Sequence, residues 1–176
     1  MRSWHLVWAT AAIVLASCDV KRTPQAARGE RSSGLDPARA AAIDDSVRAF
    51  AASVAQGITQ EGPGAWRGFL LDDTAFFMVS EGRLVFPNGG SAARAIPGLV
   101  RTIAHIELRW GDGLRVDALA PGLAMLAAPY YEVRVDTGGR RVEEIGFFTG
   151  LAEHRAAGWK FRDAHWSILA PAPHTP

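Results

Sequence analysis

Residues 146–167 read GFFTGLAEHRAAGWKFRDAHWS. Phe, Thr, Leu and Trp crowd both halves, and Ala156-Ala157-Gly158 separates them. The stretch predicts two long strands, 141–155 and 159–169, joined by a tight turn. Phe147 and Phe148 put one ring on each sheet face, as in a strand covered on both sides. Upstream, Leu123–Val135 is a third long strand, bounded by Pro121-Gly122 and by Thr137-Gly138-Gly139-Arg140. Leu114–Ala120 and Thr102–Trp110 continue the pattern, and Gly111-Asp112-Gly113 between them predicts a hairpin.

Before these strands the period changes. Asp36-Pro37 reads as an N-cap followed by Pro at the first helical position. Ala40, Ile43, Val47, Phe50, Ala51 and Val54 then recur every three or four residues, one stripe of an amphipathic helix ending near Gly57. Ala65–Leu71 suits a short second helix with Trp66, Phe69 and Leu70 on one face. A small hairpin follows, 74–80 and 84–86 around Glu81-Gly82-Arg83. Ser91 could cap a third helix running to about Val100. The class is therefore α+β: a curled antiparallel sheet with three N-terminal helices on its concave side, forming a cone with a pocket.

The first 35 residues have another character. After Arg2 comes an apolar run, 5–17, too short for the ~20 residues that span a bilayer. It ends in Leu15-Ala16-Ser17-Cys18, which resembles a lipobox. Residues 1–17 are read as a lipoprotein signal peptide and Cys18, the single cysteine, as the lipidated residue. A plain secretory signal that contains a Cys, or a buried N-terminal helix, is the alternative. Residues 18–35 form a polar tether, 36–170 the domain and 171–176 a Pro-rich tail. The expected location is the cell envelope, lipid-anchored. Asp19 suggests the periplasmic side of the inner membrane, with the outer membrane left open.

The formal charge of the 176 residues is +1. Removing residues 1–17 takes away Arg2 and no acid, which leaves a neutral chain without an electrostatic footprint for nucleic acid. The sequence holds no P-loop, dinucleotide fingerprint or G-x-S-x-G. His105, His154, His165 and His174 lack metal-ligand spacing, so neither metal nor cofactor is expected.

The element order, the segment LDDTAFFMVSEGRLVF (71–86) and the ending quoted above resemble the nuclear-transport-factor-two-like superfamily. The resemblance runs over about 36–170 and is nearest its SnoaL-like and uncharacterised bacterial branches. The motifs are Phe148-Thr149, Gly158-Trp159 and the His165-x-Ser167 strand end. It implies a cone with a pocket in its mouth and, often, dimers through the outer sheet face. That superfamily holds isomerases, cyclases, dehydratases and binders, so fold does not decide function. The isomerases' Asp, Tyr and acidic donor cannot be placed, since Tyr130 and Tyr131 are the only tyrosines.

Alternation supplies the candidate site. On the last strand Trp159, Phe161, Asp163, His165, Ser167 and Leu169 share a face, as a pocket wall would. Asp163 could orient His165 as a general base. A hydrogen-bonded or exposed surface pair is the competing reading. His105 with Glu107 is a similar dyad. Trp66, Phe69, Phe77, His105, Glu107, Tyr130, Phe148 and Ser167 are the ligand-lining candidates. Glu143-Glu144 beside Arg140-Arg141 reads as a solvated strand edge. The leading expectation is a membrane-tethered domain that binds a small apolar or amphipathic molecule. The alternative is a cofactor-independent isomerase, cyclase or dehydratase that uses His165 and Asp163, and a third reading is a structural or interaction lipoprotein whose cone is filled. A homodimer could cover the outer face.

Overall fold

A computed structural model describes residues 34–169. The stretches read as signal peptide, lipidated Cys18, nearly all of the tether and the tail lie outside the described residues. Helix α1 spans Pro37–Glu61; the Asp36 carboxylate accepts the Arg39 N–H at 2.9 Å and Pro37 opens the first turn. Its buried stripe is Ile43, Val47, Phe50, Ala51, Val54 and Ile58, and each large side chain contributes about 1.5–3 kcal/mol by leaving water. The helix runs past Gly57. That glycine is no stop signal: a Cβ there would sit 2.8 Å from Phe69 Cζ, so the missing side chain admits the ring.

A 3-10 turn, Pro63–Ala65, leads into the single-turn helix α2, Trp66–Phe69. Strands β1, Phe77–Ser80, and β2, Arg83–Phe86, form the small hairpin. Helix α3 spans Gly89–Thr102 and is capped by Asn88, not Ser91. Ser91 sits at the third helical position and completes a capping box with Asn88. Pro97 lies inside α3 and cannot donate to Ala93 O. Arg67 supplies a donor to that carbonyl at 3.2 Å, which docks α2 on α3.

Strands β3 (Ile103–Trp110), β4 (Arg115–Ala120), β5 (Leu123–Asp136), β6 (Arg141–Arg155) and β7 (Gly158–Ile168) follow. The sheet is curled and unclosed, in the order β2-β1-β7-β6-β5-β3, with β4 also on β5. Two pairings differ from a simple meander. First, β1 lies parallel to β7, with Met78 opposite Ala164 and Phe77 opposite Asp163. Second, β3 and β4 do not pair as a hairpin. Both run antiparallel to β5, β3 along residues 130–136 and β4 along 123–127. They therefore point the same way, and Gly111-Asp112-Gly113 is an excursion between two collinear strands. It stands beside Pro129, whose carbonyl accepts the Gly111 N–H at 2.8 Å and whose ring nitrogen offers the ladder no donor.

Helix α1 packs across the concave face and is tied to β3. Trp110 Nε1 donates to Ala51 O at 2.7 Å, and the Leu108 N–H donates to Thr59 Oγ1 at 3.0 Å. Beneath it an aromatic column fills one end of the cone. Phe50 meets Phe161 with centroids 4.9 Å apart, Phe161 meets Phe148 at 5.1 Å and Phe148 meets Trp166 at 4.6 Å. Phe147 faces outward while Phe148 is fully buried, so the two rings do occupy opposite faces.

Candidate active-site pocket

Above Trp166 the column stops and a cavity of about 170 Å³ opens toward solvent. A cavity of ~150 Å³ is enough for a benzene-sized body. Its walls come from four directions. Trp66 and Leu70 descend from the α2 segment, Ile96 and Leu99 from α3, and Met78 and Phe86 from the small hairpin. The sheet supplies Ile103, Ile106, Tyr130, Ala164 and Trp166. Trp66 and Trp166 meet edge to face at 5.9 Å, and Tyr130 meets Trp166 at 4.8 Å.

One part of this apolar wall is charged. Strand alternation places Tyr130, Glu132 and Arg134 on the inner face of β5. On β6, Glu144 stands directly opposite Glu132, and Gly146 opposite Tyr130. Arg134 joins the carboxylates: its Nε lies 3.0 Å from Glu132, and its terminal nitrogen hydrogen-bonds Glu144. The Glu132 side chain is only 12% exposed. Burial pushes its carboxyl up to about 7; Arg134 opposes the shift and Glu144 adds to it. Tyr130 is 3% exposed. Burial first, then the charges of Glu144, Glu132 and Glu81, hold its hydroxyl up to about 12, so it stays protonated.

Four uncharged side-chain donors in this wall have no partner among the described residues, the Ser80 hydroxyl among them. The Tyr130 hydroxyl makes no hydrogen bond, and neither do the indole N–H groups of Trp66 and Trp166. By contrast, Trp110 donates to Ala51 O and Trp159 to Ser46 Oγ, each at 2.7 Å. Buried polar groups usually find partners inside the fold. Tyr130 and the two indoles instead border open space.

Of the residues singled out from sequence, Trp66 and Tyr130 line this cavity. Phe148 lies under it, packed in the core. Phe69 covers Gly57 and packs on Phe50. Phe77 is 44% exposed on the outer face, because its parallel partner there is Asp163 while Met78 faces inward with Ala164. His105 and Glu107 lie on the outer face of β3, where Glu107 pairs with Arg109 at 3.0 Å. Ser167 faces out with Phe147 and donates to its carbonyl at 3.1 Å.

The Asp163–His165 dyad is also outside the cavity. The pairing of β7 with β6 slips by one residue, Leu151 opposite Asp163 and Ala152 opposite Phe161, leaving Arg162 as a bulge. The bulge reverses the alternation. Phe161, Ala164 and Trp166 face inward; Asp163 and His165 face outward, and His165 is exposed. Asp163 accepts the Leu151 N–H at 3.0 Å as part of the bulge. Burial raises its carboxyl above the ordinary value, against that hydrogen bond and Arg162. Among the described residues, no three His, Asp or Glu side chains converge to hold a metal ion.

No protein-family model matches the sequence, and no curated protein is similar to it. Solved structures are similar in shape. A nuclear transport factor 2-like superfamily protein from Salmonella enterica serovar Typhimurium superposes with TM-score 0.59 at 11% identity, over 78% of this chain and 95% of that one. The chain has the nuclear-transport-factor-two-like fold. A putative scytalone dehydratase from Novosphingobium aromaticivorans gives TM-score 0.63 at 8% identity, over 77% and 90% of the two chains. A hexachlorocyclohexane dehydrochlorinase gives 0.56 at 15% identity, over 77% and 95%. In this fold the cavity described above occupies the mouth of the cone.

Glu132, Arg134 and Glu144 had no place among the sequence candidates. A signal existed, since Tyr130, Glu132 and Arg134 alternate along one strand. Which face they take, and the pairing of Glu132 with Glu144, come from the register of β5 on β6.

Proposed function

We propose that this chain is a membrane-tethered domain that binds a small molecule with an apolar body and a polar head in the mouth of its cone. The observation that carries this is the open cavity walled by Trp66, Trp166 and Tyr130 and edged by the Glu132–Arg134–Glu144 cluster. Apolar walls with a few convergent polar groups are what small-molecule sites are made of. Two of the similar structures are named for small organic substrates, which supports the same reading. The test is a titration of the full chain with Nile red. A saturable, blue-shifted emission is expected, and a flat response overturns the proposal.

The tether rests on the apolar run 5–17 and on Cys18. Expressed in a bacterium, the wild-type chain should fractionate with membranes and Cys18→Ser should be released. Retention of the variant in the membrane overturns the anchor. The outer sheet face exposes Phe77, Met125, Ile145 and Phe147, a patch of a kind that marks interfaces, and a second copy of the chain is the proposed cover. A monomer in sedimentation at micromolar concentration would contradict it.

A catalytic second reading is favoured by one observation, the Glu132 carboxyl held near 7 inside the cavity. Such a group can take and return a proton at neutral pH, with the Tyr130 hydroxyl as hydrogen-bond donor. Isomerase, cyclase or dehydratase chemistry would then run on Glu132 rather than on His165 and Asp163. Loss of turnover in Glu132→Gln, with His165→Ala unaffected, is the expected pattern for a substrate found by screening.

A further inference from the structure

The cavity lining holds two carboxylates, Glu132 and Glu144, and one guanidinium, Arg134. Both carboxylates are already bound to that guanidinium. With both ionised, the cluster carries one negative charge that no lining residue balances. Burying such a charge is costly unless it is paired. Tyr130 reports the same field from a second position. The charges of Glu144, Glu132 and Glu81 all act on its hydroxyl in one sense, and Arg134 alone acts in the other. That hydroxyl is also unpartnered on a residue 3% exposed, and its oxygen can accept a hydrogen bond.

We infer that the cavity takes a cationic amphiphile, an ammonium head seated against Glu132 and Glu144 with its apolar body between Trp66, Trp166 and Ile96. This rests on the small-molecule reading above and specifies the ligand's charge. An ammonium cancels the residual charge and donates to carboxylate oxygens that Arg134 leaves free. The Tyr130 oxygen accepts a further N–H. The aromatic lining of Trp66, Phe86, Tyr130 and Trp166 attracts a cation that has shed water. A carboxylate head meets the opposite situation, because Arg134 is occupied on both sides and the flanking groups repel it. A neutral hydroxyl head gains hydrogen bonds and leaves the charge unbalanced.

The experiment compares three probes on one scaffold, 2-phenylethylammonium, 2-phenylethanol and 3-phenylpropanoate. Each competes with Nile red on the full chain at pH 8. The ammonium is expected to bind at least ~10-fold tighter than the alcohol, the scale of one lost charge-assisted contact, with the carboxylate weakest. Glu132→Gln should remove most of that preference, and a cooperative thermal transition of the variant shows that it is folded. Equal or tighter binding of the alcohol or the carboxylate overturns the inference and leaves the pocket standing. So does Nile red binding that none of the three displaces. Absence of Nile red binding overturns the pocket reading itself.

Discussion

Glu132 and Glu144 face each other across neighbouring strands, on the same inner face, and share Arg134. Directly opposed like charges destabilise a strand pair, so the guanidinium is what makes this register tolerable. Arg134→Met keeps much of the apolar stem and removes the charge. The variant should lose about 1–3 kcal/mol at pH 8, less than a fully buried pair because Arg134 is partly exposed. At pH 5 most of the loss should disappear, since the Glu132 carboxyl is then protonated and one of the two opposed charges is gone. Adding Glu144→Gln should rescue the pH 8 loss. Urea unfolding at the two pH values checks this, and an equal loss at both would contradict the shared-arginine account.

The raised carboxyl of Glu132 predicts a direction for stability against pH. Its folded value is about 7 against an ordinary 4.5. Between those values the folded chain holds a proton that the unfolded chain releases. Stability from this group is thus present below about 4.5, falls as pH rises toward 7, and is level above. The full span is on the order of 3 kcal/mol. Because Arg134 and Glu144 face the same carboxyl, the clean measurement is a comparison with Glu132→Gln. The wild type's melting temperature should fall by several degrees more than the variant's between pH 5 and pH 8. Parallel curves would show that the carboxyl is ordinary.

Much of the fold was legible because burial imposes a period. The stripe Ile43–Val54 located α1, and the turns at Pro121-Gly122, Thr137-Gly138-Gly139-Arg140 and Ala156-Ala157-Gly158 bounded β5, β6 and β7. The site was less legible because face assignment depends on register and register is non-local. One bulged residue, Arg162, moved Asp163 and His165 from pocket to surface. A parallel contact with β7 decided that Met78 and not Phe77 faces inward. Glu144 sits one residue from the exposed Glu143, which pairs with Arg141. A pair of adjacent glutamates reads as solvated, and only the partner strand distinguishes them. Gly57 and the Gly111–Gly113 segment misled in the same way: both were read as local punctuation, while a ring contact and a proline on β5 explain them.

Gly146 makes room for the pocket's tyrosine. It lies opposite Tyr130, and a Cβ there would run into the Ser167 carbonyl oxygen and lie 2.7 Å from Tyr130 Cε1. Backbone on one side and a packed ring on the other leave little to give. Gly146→Ala should cost about 1–3 kcal/mol or more, even though alanine suits a strand better than glycine. Tyr130→Ala in the same chain removes the ring but not the carbonyl clash, so it should restore only part of the loss. Thermal unfolding of the two single variants and the double tests this. A neutral Gly146→Ala would mean that β6 and β7 are less closely paired than described.

Two substitutions separate the cavity from the surface dyad. Leu99 is a half-buried residue of α3 whose side chain lines the cavity. Leu99→Trp adds bulk toward open space rather than toward packed atoms, so stability should change by less than about 1 kcal/mol. The added ring fills much of a 170 Å³ cavity, and Nile red affinity should drop at least ~10-fold. His165→Ala acts on an exposed side chain of the outer face, where a substitution typically stays within ~0.5 kcal/mol, and should leave Nile red binding unchanged. The reverse outcome, binding lost with His165→Ala and kept with Leu99→Trp, would move the site to the outer face. The pair is informative because alternation along the last strand put Trp159, Phe161, Asp163, His165, Ser167 and Leu169 on one expected pocket wall. Geometry assigns that strand's contribution to Ala164 and Trp166 instead.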